Sequence, residues 1–169
     1  MKKHNGMRPQ DIVVLLKIAT YNEKPWLGKD LAISLSISSS EVSESLDRSV
    51  FAGLLGEEKK KLMKQALLEF LEHGFKYVFP QKPGPLVRGF PTAHSAPPLN
   101  KLIQSNELFV WPDALGEDRG QAIKPLHPGV VKAARADIGF YELISLVESL
   151  RIGRTREQSI ALQELKKRI

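Results

Sequence analysis

Lys29-Asp-Leu-Ala-Ile-Ser-Leu-Ser-Ile-Ser-Ser-Ser-Glu-Val-Ser-Glu-Ser-Leu-Asp-Arg48 reads as two short helices joined by a tight turn. Leu31, Ala32 and Leu35 set apolar groups on one face of the first helix. Ile37 is an apolar plug in the turn. Ser38 with Glu41 forms a capping box that starts the second helix. Val42 and Leu46 give that helix an inward face at i, i+4 spacing, continued by Val50. The opposite face then presents Ser39, Ser40, Ser43, Glu44, Asp47 and Arg48 to solvent. Gly53-Leu54-Leu55 stops the helix and leaves room for a short strand.

This is the layout of a helix-turn-helix, whose second helix is often the one laid into the DNA major groove. The flanking sequence extends it. Ile12-Val-Val-Leu-Leu-Lys-Ile-Ala19 supplies a first helix, expected from about Arg8 to about Tyr21. Pro9 is tolerated in a first turn, and Asn22 and Pro25 end the pattern. Asn22-Glu-Lys-Pro-Trp26 is a connector. With these parts, Met7 to Leu55 resembles the N-terminal half of a winged helix-turn-helix domain of the MarR type. The segments Ala66 to Pro80 and Pro91 to Pro98 are similar to bacterial helix-turn-helix proteins of unassigned function. The resemblance implies a bacterial-type transcriptional regulator that binds double-stranded DNA as a homodimer.

Glu57-Glu-Lys-Lys-Lys-Leu-Met-Lys64 occupies the place of a wing. No Asn-Gly or Asp-Gly turn is present and helical periodicity resumes at once, so a truncated wing is expected, followed by a helix to about Tyr77. Leu62, Met63, Ala66, Leu67, Phe70 and Leu71 line its apolar face. Lys59, Lys60, Lys61 and Lys64 are the electrostatic candidates for phosphate. Read as a helical first turn, the three consecutive lysines oppose the helix dipole, which favours an external anion. On the recognition face, Ser39, Ser40 and Ser43 suit phosphates or base edges, Glu44 suits a cytosine amine, and Arg48 suits a phosphate or guanine.

Residues 81–98 hold five prolines and read as a packed loop, neither regular helix nor central strand. Leu108 to Pro112 and Gln121 to Leu126 read as strands of a small β-hairpin, with Gly116 and Gly120 between them. Residues 138–150 are apolar over most of a helical circumference, which implies burial on more than one side. Gly153 stops that helix, and Thr155 with Gln158 caps a last one, making an αα-hairpin. Arg151, Arg154 and Arg156 bracket the turn and are assigned to an interface, with another subunit or an acidic partner. The broad apolar face and these arginines together point to a homodimer.

The expected fold class is α+β, mainly α: a winged helix-turn-helix over 1–80, then the loop, hairpin and helical hairpin over 81–169, with one continuous domain as the alternative. The net charge of +6 divides unevenly, +1 over 1–56, +4 over 57–101, −2 over 102–129 and +3 over 130–169. The basic excess therefore flanks the helix-turn-helix. No cysteine is present, so disulfides and thiolate metal sites are excluded. Met1-Lys-Lys-His-Asn-Gly6 is basic but leads into no signal-peptide core, and no apolar run reaches a membrane span. A cytoplasmic location with no membrane association follows. His73, His94 and His127 share no ligand spacing, and no P-loop, nucleophile elbow or dinucleotide fingerprint occurs. No enzymatic activity, metal or cofactor is expected. The alternative function is a protein-binding winged-helix adaptor or antitoxin-like partner, without DNA binding.

Overall fold

The structure is a computed structural model that describes residues 5–169; the basic start at Met1 to His4 lies outside the described residues. The chain is α+β and mainly helical, with a small three-stranded sheet. Helix α1 (Pro9–Thr20) opens with proline in its first turn, and Asp11 Oδ2 accepts the Arg8 N–H at 2.7 Å. Helix α2 (Gly28–Leu35) ends at Ser36 in the left-handed region, where the Ile37 N–H donates to the Ala32 carbonyl at 3.0 Å. Helix α3 (Ser39–Phe51) is capped by Ser38, whose Oγ accepts the Glu41 N–H. Leu31, Leu35, Ile37, Val42 and Leu46 are buried together, as their spacing required.

Gly53, at φ +76, turns the chain out of α3. A minimal hairpin follows, in which Leu55 bridges Leu62 and the Gly56 N–H donates to the Lys61 carbonyl at 2.8 Å. Helical structure resumes only at α4 (Lys64–His73), and a kink at Gly74 separates it from the short α5 (Phe75–Val78). Phe70, Phe75 and Phe79 pack edge to face across that kink. Met63, expected on the inner face, is 41% exposed, because it precedes the helix rather than belonging to its first turn.

The Pro-rich segment departs from expectation. Residues Leu86–Pro91 form β1, which is antiparallel to both β2 (Phe109–Pro112) and β3 (Asp118–Ala122). Pro85 and Pro91 bracket the strand instead of interrupting it, so every interior N–H remains available. The expected β2–β3 hairpin is also corrected. Those two strands meet in parallel, Phe109 opposite Gln121, and the sheet closes on itself. The 113–117 connection crosses β1 at very short range: a Cβ on Gly116 would lie 2.2 Å from the Gly89 carbonyl oxygen. Glycine there lets the connection pass close over β1, so that β3 pairs antiparallel with β1 and parallel with β2.

Helix α6 (Val130–Ala136) leads into α7 (Ile138–Ile152), the central helix of the molecule. Its apolar breadth is satisfied within the chain, by α1, α4, α5, α6, the 93–95 turn and α8 (Thr155–Arg168). A second subunit is not needed to cover it. Arg154, not Thr155, occupies the N-cap position of α8, without a side-chain cap bond, and Gln158 reaches back to the Leu150 and Gly153 carbonyls. The two halves of the sequence share one buried core. Lys17 of α1 pairs with Asp137, the N-cap of α7, at 2.6 Å. Gly129 abuts α2 so tightly that an added Cβ would lie 2.0 Å from the Leu35 carbonyl oxygen.

Two predictions follow from this packing. Gly129→Ala forces α2 and α6 apart and is expected to cost about 1–3 kcal/mol in urea unfolding; a change below about 0.5 kcal/mol would mean that the helices separate freely. The second concerns Glu148, fully buried on α7. Burial pushes its carboxyl up to about 7, against the opposing pull of Arg151. An acid raised in the folded state keeps its full contribution below the unfolded value, about 4.3, and loses it as pH rises through the folded one. Melting temperature is therefore expected to fall more steeply with rising pH, between those values, in the parent than in Glu148→Gln. A steeper fall in the variant would reverse the assignment.

Candidate functional site

Two neighbouring surfaces carry the residues singled out by sequence. On α3, Ser39, Ser40, Ser43, Glu44 and Asp47 are exposed, as expected, with Glu41 beside them and Phe51 74% exposed at the end. Arg48 is not among them. Its side chain is only 4% exposed, and its Nε and Nη2 donate to the two oxygens of Asp11 at 2.9 and 2.7 Å. Asp11 is fully buried and also accepts the Ser45 hydroxyl at 2.6 Å. The reason is electrostatic: a carboxylate buried on α1 requires a charged, bidentate partner, and Arg48 is the side chain within reach. These hydrogen bonds raise the Arg48 pKa further, so the guanidinium stays charged. It can read neither guanine nor phosphate from this position. The exposed face of α3 is left with Glu41, Glu44 and Asp47 and no basic side chain.

The second surface is the hairpin. Lys59, Lys60 and Lys61 lie in its loop, not in a helical first turn, so the expected conflict with a helix dipole does not arise. Lys59 Nζ meets Asp47 of α3 at 2.5 Å, which ties the hairpin to that helix. Lys60 donates to the Trp26 carbonyl at 2.9 Å and sits 4.4 Å from the centre of the Trp26 ring. Lys64 lies 3.6 Å from Glu23. Lys61 is exposed and makes no ion pair among the described residues.

Between the end of α1, the 22–27 connector, the hairpin and the start of α4 runs a groove of about 930 Å³. The sequence singles out Lys60, Lys61 and Lys64 of its lining but neither Lys24 nor the groove itself. The missed signal is Trp26, buried against Tyr21 and facing Lys60.

The arginine turn is divided. Arg154 and Arg156 are exposed. Arg151, expected at an interface, is directed inward, donating to the Lys124 carbonyl at 2.9 Å and to Glu148 at 3.1 Å. The buried Glu148 carboxyl claims it, as Asp11 claims Arg48. His94 and Ser95 are also structural: His94 Nε2 bonds the Glu107 carbonyl, and Ser95 Oγ accepts the Phe109 N–H. Among the described residues, no helix is long and apolar enough to cross a membrane. Comparison with models of protein families, with curated proteins and with solved structures gives no match.

Arg48→Ala strands the Asp11 carboxylate in the core and is expected to destabilise the protein by about 3–5 kcal/mol. Ser43→Ala, on the exposed face, should change stability by less than about 0.5 kcal/mol. Chemical denaturation of both variants checks this. A well-folded Arg48→Ala protein would return Arg48 to the candidate DNA contacts.

Proposed function

We propose that this protein is a DNA-binding transcriptional regulator built on a winged helix-turn-helix of the MarR type. In this reading α2 and α3 are the helix-turn-helix, and the 54–63 hairpin is a wing reduced to a single bridge. The observation that carries it is the docking of the lysine-bearing loop beside α3 through Lys59 and Asp47. That arrangement sets a basic loop next to a helix whose exposed N-terminal half is serine-rich. Lys60, Lys61 and Lys64 meet phosphates flanking the groove that α3 enters, and Ser39, Ser40 and Ser43 contact the backbone or base edges. Glu44 accepts from a cytosine amine. A homodimer matches paired half-sites of an operator, and its interface draws on exposed residues such as Arg154 and Arg156.

A second reading is favoured by one observation. With Arg48 withdrawn, the exposed face of α3 is acidic, and acids repel phosphate. A protein-binding adaptor or antitoxin-like partner would use that face against a basic surface.

The two separate in one titration. Fluorescence anisotropy with duplex DNA from the protein's own upstream region, at two salt concentrations, should show steeply salt-dependent binding. Replacing Lys60, Lys61 and Lys64 by alanine should flatten the slope of log K against log salt by about 3. Absence of salt-dependent binding, together with a stoichiometric complex with a companion polypeptide, would favour the adaptor.

A further inference from the structure

The groove beside Trp26 is apolar within and basic at its rims. Ile18, Ala19, Trp26, Leu62 and Ala66 furnish apolar lining. Lys24 stands on the connector side, and Lys61 and Lys64 on the hairpin and α4 side. Glu23 is the one acid in the lining, and it is held by Lys64 across the mouth. Lys24 and Lys61 carry no ion pair among the described residues. An apolar strip flanked by ammonium groups complements an apolar strip flanked by carboxylates. The lining residues Leu27 and Met63 are 53% and 41% exposed, so the groove keeps apolar surface open to a partner at its rim. Methionine at such a rim adapts its shape to the side chain that meets it.

We propose that this groove docks an acidic amphipathic helix from a partner protein. Its leucine-type anchors at i, i+3, i+4 and i+7 fill the apolar floor, and its flanking Asp and Glu residues meet Lys24, Lys61 and Lys64. Glu23 acts as an internal placeholder, occupying Lys64 until a partner carboxylate replaces it. Because Lys61 and Lys64 are also the phosphate contacts of the DNA reading, the docked helix and DNA exclude one another; that consequence alone rests on the DNA reading.

The test is a random-peptide library displayed on phage and selected against the full chain. Selected peptides are resynthesised with a fluorophore and titrated against the parent, Lys24→Glu/Lys61→Glu, Met63→Asp and Glu23→Gln, each checked by thermal melting. The expected peptides combine acidic residues with apolar ones at helical spacing. Charge reversal at Lys24 and Lys61 should weaken them by about tenfold or more, Met63→Asp should also weaken them, and Glu23→Gln should tighten them. Three results overturn the proposal: a selection without an acidic and apolar bias, affinities unchanged by the double reversal, or binding of 1-anilinonaphthalene-8-sulfonate in the groove with no peptide selected. The last assigns the groove to small organic anions. The selection contains no DNA, so its failure leaves the DNA reading intact, and a failed DNA titration leaves the groove intact.

Discussion

A carboxylate removed from water must find its charge partner inside the protein, and Asp11 imposes that condition on the whole N-terminal half. It accepts the Arg8 N–H that begins α1, both arms of Arg48 and the Ser45 hydroxyl. Those contacts fix the rotation of α3 about its own axis. Once Ser45 and Arg48 face α1, Ser39, Ser43 and Glu44 must face solvent. The other end of α1 is held likewise, where Lys17 meets Asp137 at the start of α7. A single helix, charged at both ends of its buried face, therefore ties both α3 and the central helix α7 to itself.

Much of this was legible in the residues. The spacing of Leu31, Leu35, Val42 and Leu46 defined the helix pair, and Ser38 marked the start of α3. The breadth of apolar residues from Phe140 to Leu150 announced a helix buried on several sides. What it was buried against was not legible, because periodicity gives the faces of a helix but not their neighbours. Arg48 was misread for a related reason. On a helical wheel it falls beside Glu44 and Asp47, and only a distant acid on α1 turns it inward. Arg151 repeats the case with Glu148. In both, a charge that looks available for a partner is already committed to the interior.

The sheet was the least legible element. Proline counting treats residues 81–98 as a unit, yet β1 begins just after Pro85, keeps proline only at its last position, Pro91, and pairs with both other strands. The lysines were found but their setting was not. Their loop is held by Leu55 and Leu62, by the Lys59–Asp47 pair and by Lys60 on Trp26, contacts that depend on residues distant in sequence. The groove beside them is the product of those same contacts.

Small sheets are commonly hazardous, because an outer strand offers a row of unused N–H and C=O groups to any neighbouring chain. Here β3 returns to touch β2, so each of the three strands has two neighbours. The β2–β3 pairing covers part of the margin that an open three-stranded sheet would offer to a strand from another molecule. The close approach at Gly89 and Gly116 thus gives a three-stranded unit a resistance to strand-mediated self-association that larger open sheets obtain from bulges, charges or covering helices.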